Sequence, residues 1–206
     1  ATFISNHDAF AGARLWDQLQ GDEARYRMVA ATYLLLPGTP FIYFGEEIGM
    51  AGGAGLVSDA ALRSPMSWNA DPATAGFTRG KPFRPVSANA ATHNVAAETA
   101  NPRSMHAFYK SMLALRNRLP SIARGSYQHA TADGTNLSFQ RKLGAEHTVV
   151  VLNFGTTPSR VSIGSLPPLG SLANEYPAGA ADASANMQGI AIVDMPAQSV
   201  RVLRLK

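Results

Sequence analysis

The order of the apolar segments constrains this chain most. Two short runs that read as buried strands, TFISNHDA at residues 2–9 and GTPFIYFG at 38–45, flank one helical run, GDEARYRMVAATYLLL at 21–36. Short apolar strands buried on both faces are typical of parallel sheets, whose faces are covered by helices. A parallel crossover needs a dozen or more residues, and the helical run supplies them. Two parallel strands alone make no stable sheet, because their faces stay bare and their edges invite association. The pattern predicts two βα units that close a larger α/β structure, with this chain as its C-terminal part. The first residue is Ala rather than Met, which fits that expectation.

The helical run places Ala24, Met28, Ala31 and Leu35 on one face. Asp22 and Glu23 suit its positive end, and Pro37-Gly38 stops it. From about Met50 to Asn101 no periodicity is visible, and Ala, Gly, Pro and Asn dominate. Loops of that length inside a domain are functional or disordered. NPRSMHAFYKSMLALRNRLP then reads as a helix with Met105, Phe108, Tyr109, Met112, Leu115 and Leu119 along one face and Pro120 at its end.

Beyond Ser121 the pattern changes to short strands and turns. GSYQHAT and TNLSFQRKL flank Asp133-Gly134, a hairpin signal. HTVVVLNFG, SRVSIG, GIAIVDM and QSVRVLRLK follow, and the Ala/Gly/Ser/Pro-rich stretch from Ser165 to Ala185 reads as a surface loop. The fold class expected is therefore α/β followed by an all-β antiparallel β-sandwich, divided at residues 1–120 and 121–206.

Composition narrows the function classes. There is no Cys, so disulfides and thiolate metal sites are excluded, and the chain is compatible with any compartment. The net charge of +4 is spread along the chain without the basic stripe that nucleic-acid binding needs. No apolar run approaches the roughly 18 residues of a membrane span. His93, His106, His129 and His147 have no metal-ligand spacing and read as ordinary surface or helix residues.

Four segments together resemble one family. FISNHDA is similar to the strand-seven motif of the α-amylase family of glycoside hydrolases, a (β/α)8 TIM barrel followed by a C-terminal β-sandwich. GTPFIYFGEEIGM resembles that family's strand-eight motif. LRSPMSWNADPATAGFT resembles the loop after strand eight in the branch of oligo-1,6-glucosidases, α-glucosidases and trehalose synthases. THNVAAETANPRSMHAFYKSMLALRN resembles the entry to that branch's last barrel helix. The four stand in the family's order and cover residues 2 to about 119.

The resemblance implies roles residue by residue. Active-site groups of a TIM barrel sit at the C-terminal ends of strands, where His7 and Asp8 fall. Asp8 matches the family's third carboxylate, which binds vicinal sugar hydroxyls and stabilises an oxocarbenium-like transition state without being the nucleophile. Two acceptor oxygens and a negative charge suit that task. His7 matches the histidine that hydrogen-bonds the same sugar, and Asn6 beside it is expected to bind substrate as well. Arg63 is expected in the pocket wall, with Trp68 and Phe77 offering aromatic faces to sugar rings. Glu46 and Glu47 match a pair at the pocket base that is mainly structural, since adjacent side chains point opposite ways. No cofactor is implied. Calcium, where family members hold it, lies in barrel parts outside these residues. The implied partners are an α-glucan oligosaccharide or small α-glucoside and the remaining N-terminal barrel, with no nucleic acid and no membrane.

One departure decides the functional expectation. Retaining glycosidases need a nucleophile and an acid/base about 5 Å apart. In this family both lie on strands four and five, and none of the 14 acidic residues here stands in either context. The expectation is a polypeptide that carries the third carboxylate and part of the pocket and is inactive alone. Two alternatives remain at this stage: a non-catalytic carbohydrate-binding or structural fragment, and one half of a complemented barrel.

Overall fold

The structure is a computed structural model and describes residues 1–206. In chain order it contains α1 (Leu15–Gln18), α2 (Glu23–Leu35), α3 (Ser58–Leu62), α4 (Val95–Ala100), α5 (Met105–Arg118) and α6 (Pro120–Arg124). The strands are β1 (Ser126–Asp133), β2 (Asn136–Leu143), β3 (Glu146–Asn153), β4 (Ser159–Ile163), β5 (Ser171–Tyr176), β6 (Ala183–Ser184), β7 (Ala191–Met195) and β8 (Ser199–Leu205). The chain divides into two compact units: Ala1–Arg27 with Pro40–Ser111, and Met28–Thr39 with Met112–Lys206. None of its helices is long and apolar enough to cross a membrane.

In the first unit, the two segments expected as strands meet in parallel but form a single bridge, Thr2 with Pro40, and the Phe41 N–H donates to Thr2 O at 2.8 Å. Neither segment is a regular strand. Pro40 has no N–H to extend the ladder, and each segment has only one neighbour. Side chains take over the work of the missing ladder. Buried Glu46 accepts from Ser5 Oγ at 2.5 Å, and the Tyr26 hydroxyl donates to Glu46 O at 3.0 Å. The long segment after Met50 is ordered by Asn side chains. Asn89 Oδ1 accepts from the Ala51 N–H at 2.9 Å while its amide donates to Gly49 O at 2.9 Å. Asn94 caps α4 by accepting from the Ala97 N–H at 3.0 Å.

The second unit is built on sheets. Six strands order β1-β2-β3-β8-β5-β6, and β4 pairs with β7 in a second sheet, all antiparallel. Val149, Val151 and Leu203 of the large sheet share one buried cluster with Val161, Ile163, Val193 and Met195 of the small one. Alternation drives this: Val161 and Ile163 point in while Arg160 and Ser162 stay exposed. β3 is buried on both faces, and Ser121 of α6 meets Thr148 on the other side, hydroxyl to hydroxyl at 2.6 Å. Gly134, at φ 55, turns the β1–β2 hairpin between Asp133 and Asn136, a left-handed geometry that Gly adopts without penalty.

Several expectations change. The Ser165–Ala185 stretch is not a plain loop: it contains β5, with Leu172 fully buried, and β6. Its single inward residue per strand is too short a signal for periodicity to register. Ala24 is exposed, whereas Met28, Ala30, Ala31, Tyr33, Leu34 and Leu35 are all buried, so the late part of α2 is enclosed rather than one-faced. Its C-terminal carbonyls are met by buried arginines. Arg116 donates to Leu34 O at 2.8 Å, to Leu36 O at 3.1 Å and to Gly38 O, and Arg141 reaches Leu35 O at 3.4 Å. These guanidiniums satisfy acceptors that a helix end leaves open, and burial lowers the pKa of both. Pro120 opens α6 rather than simply ending α5, at a position where a missing N–H costs nothing.

Candidate functional site

The turn after Asn6 fixes the site. The Asn6 carboxamide oxygen accepts from the Asp8 N–H at 2.7 Å, closing a local Asx-type turn. That turn presents the imidazole of His7 and the carboxylate of Asp8 outward, with His7 Nε2 3.4 Å from Asp8 Oδ2. The other Asp8 oxygen is held by Arg63 Nη2 at 2.8 Å. Arg63 also donates through Nε to His7 O at 2.9 Å and through Nη2 to Asp59 Oδ2 at 2.8 Å. Asp59 in turn accepts from the Ala9 N–H at 2.7 Å. One guanidinium therefore ties together both carboxylates and the backbone of the turn, which fixes where the Asp8 charge sits.

Behind this cluster lies Arg14, whose side chain is almost wholly buried. It donates to Leu62 O at 2.8 Å and to Phe44 O, and its guanidinium carbon lies 4.4 Å from the ring centres of both Tyr43 and Phe44. Desolvation lowers its pKa, opposed by the nearby Tyr43 and Glu46. Burial likewise raises the Tyr43 pKa, against the pull of Arg14 and Arg63. Tyr43 donates to Leu62 O at 3.0 Å, so it works as a brace between the two sequence motifs.

Two cavities flank the cluster. One, of about 520 Å³, is lined by Arg63, Trp68, Phe77, Phe44 and Glu47 among others. Trp68 and Phe77 expose about half of their surfaces, 51% and 54%. The other cavity, of about 420 Å³, is lined by Asn6, His7, Phe3, Phe41 and Tyr43. Glu46 and Glu47 part as adjacent side chains must. Glu46 is buried against Ser5, while Glu47 reaches the first cavity with one oxygen accepting from the Gly45 N–H at 2.9 Å. Gly45 allows this at φ 85; a Cβ there would meet Met50 Sδ at 2.7 Å.

The structure thus brings Asp8, His7 and Arg63 together, and puts Trp68 and Phe77 in one cavity with Arg63. Asn6 shapes the turn and lines the second cavity. Asp59 was missed by sequence reasoning, although its place four residues before Arg63 is the spacing of a helical ion pair. Arg14 and Tyr43 carried no sequence signal, because their partners are backbone carbonyls 19 to 48 residues away. No group of three or more His, Asp or Glu side chains is arranged to hold a metal ion. Two of the four histidines differ from their expected placing: His147 is buried in β3 with Nε2 2.8 Å from Gln140 Oε1, and the His93 ring lies tilted against Trp16 with 4.0 Å between ring centres, whereas His106 lies on α5 and His129 is exposed.

Residues 1–125 match the family model described as the α-amylase catalytic domain. The chain belongs to the α-amylase family. Its relatives include the trehalose synthase of Thermus thermophilus, 36% identical over 150 residues, which cover 68% of this chain and 15% of that protein. A probable oligo-1,6-glucosidase of Bacillus subtilis is 28% identical over 206 residues, covering 81% of this chain and 36% of that protein. Among solved structures, the trehalulose synthase MutB of Pseudomonas mesoacidophila aligns with all of this chain and 43% of its own, with a TM-score of 0.79 and 24% identity, which shows shared fold. The isomaltulose synthase of Klebsiella sp. aligns with all of this chain and 42% of its own, at a TM-score of 0.77 and 26% identity. The chain therefore spans 15–36% of these curated relatives and less than half of these solved family structures.

Proposed function

We propose that this chain is the C-terminal part of a retaining α-amylase-family enzyme that hydrolyses or transfers α-glucosidic bonds in oligosaccharides. Residues 1–120 supply its last two barrel units, and residues 121–206 form its C-terminal β-sandwich. Asp8 is the carboxylate that binds sugar hydroxyls and stabilises the positive ring of the transition state. The observation that carries this reading is the clamp on Asp8. Arg63 Nη2 holds one oxygen at 2.8 Å, so the carboxylate is already ordered where the sugar would meet it. His7 hydrogen-bonds the same sugar, with Asn6 setting the turn. Arg63, Trp68 and Phe77 form the wall on which neighbouring sugar units lie.

The nucleophile and the acid/base belong to polypeptide outside these 206 residues. The chain alone binds α-glucosides and does not cleave them; with the remaining barrel as partner, the set of three carboxylates is complete. The test is a fluorescence titration of the chain with isomaltose and maltose, reading Trp68. A change in emission that is lost in Trp68→Phe and weakened in Arg63→Ala is expected, with the sugar recovered uncleaved. Binding untouched by both substitutions would remove Arg63 and Trp68 from the pocket.

A further inference from the structure

Asp59 touches both halves of the Asp8 clamp. It lies in the first turn of α3, and Arg63 directly follows the last residue of that helix. One helical turn therefore sets the two side chains on the same side, four residues apart. Both Asp59 oxygens are used: Oδ2 accepts from Arg63 Nη2 at 2.8 Å, and Oδ1 accepts from the Ala9 N–H at 2.7 Å. Ala9 directly follows Asp8, so Asp59 fixes the guanidinium and also the backbone next to the carboxylate which that guanidinium holds. Arg63 Nη2 is thereby shared, with Asp8 Oδ1 and Asp59 Oδ2 each at 2.8 Å. Nε is spent on His7 O at 2.9 Å, and Nη1 has no acceptor in the protein.

A guanidinium facing a single carboxylate favours the two-pronged arrangement, in which two N–H groups meet two oxygens. Asp8 is not held that way. Arg63 engages only Oδ1, and Oδ2 stays open, 3.4 Å from His7 Nε2. The second carboxylate accounts for the difference. By drawing on Nη2 as well, Asp59 keeps the guanidinium turned so that a second bond to Asp8 does not form. It also changes the local charge. Arg63 with Asp8 alone would be neutral, whereas one guanidinium between two carboxylates leaves the cluster negative. A ring that turns positive in the transition state is stabilised by that excess. The three side chains are between 37% and 44% exposed, so their pairs add little stability. What Asp59 governs is orientation and charge.

We propose that Asp59 is a positioning residue: it holds Arg63 off the second oxygen of Asp8 and keeps the site anionic. This role presupposes Asp8 as the carboxylate that meets the sugar. The experiment compares Asp59→Asn and Asp59→Ala with the unaltered full chain by two readouts. One is the Arg63 Nε–H signal in heteronuclear NMR, assigned with Arg63→Lys; the other is isomaltose affinity from Trp68 emission. Asn keeps an oxygen for the Ala9 N–H but removes the charge, so a purely structural Asp59 would be replaced by Asn without loss. Both variants should move the Nε–H signal, as Arg63 leaves His7 O to grip Asp8 with two bonds. Both should also weaken isomaltose binding roughly tenfold. An Asn variant that matches the unaltered chain in either readout would overturn the proposal. If the unaltered chain binds no isomaltose, Asp8 loses its assigned role, and the Nε–H signal alone decides for Asp59. Moved in both variants, it upholds the positioning; unmoved in Asp59→Asn, it overturns it.

Discussion

The two units are held together by different means. The second is a ladder protein, in which β3 and β8 pair over six consecutive residues and a shared apolar cluster lies between two sheets. In the first, the expected parallel pair is reduced to one bridge, and long side chains hold backbone segments to one another instead. Ladders make a scaffold, because each bond repeats its neighbour. Side-chain anchors place single groups, as Arg63 places the Asp8 carboxylate. The cost is that each anchor is unique and its loss is not shared.

The largest effect expected lies in the ladder unit. Phe139→Ala removes a fully buried ring and should cost about 4 kcal/mol in urea unfolding followed through the β-sheet amides. Arg14→Ala probes the other unit. It frees the Phe44 and Leu62 carbonyls and empties a stacked site, so about 3 kcal/mol is expected, read as faster hydrogen exchange across residues 43–63. If Arg14→Ala cost less than 1 kcal/mol, the contrast between the units would fail.

Much of this contrast could be seen in the sequence and part could not. The β half was readable because period-2 alternation and Asp133-Gly134 are local signals. Asn6, His7 and Asp8 stood out in the sequence as polar residues at the end of an expected strand, but the two-residue hydrogen bond that makes them a turn did not. Arg14 and Tyr43 act on partners 19 to 48 residues away, and no window of sequence contains both ends; Asp59 likewise reaches the Ala9 N–H 50 residues back, although its pairing with Arg63 is local. β5 was hidden because Leu172 is the one fully buried residue of its six, too little for a period to register.

A smaller effect should appear with pH in the ladder unit. Burial, with lesser contributions from Lys142 and His129, lowers the His147 pKa below its ordinary 6.5. The unfolded chain then binds more protons than the folded one below that value, so stability falls as pH drops beneath about 6.5. Replacing the imidazole in His147→Gln should flatten that part of the stability profile, measured by thermal unfolding between pH 7.5 and 5. The smallest stability effect belongs to the site. Arg63→Ala breaks exposed ion pairs and should shift unfolding by less than about 1 kcal/mol, while sugar binding weakens. A large stability loss there would make Arg63 a scaffold residue and sharpen the comparison in the opposite direction.

The central claim is that Asp8 and its clamp belong to a pocket whose bond-breaking carboxylates lie outside these 206 residues. The most direct measurement is chromatographic detection of glucose from isomaltose and maltose incubated with the chain at verified intact mass. The account predicts that both sugars remain uncleaved. Sustained glucose release from that single polypeptide, abolished by Asp8→Asn, would contradict it.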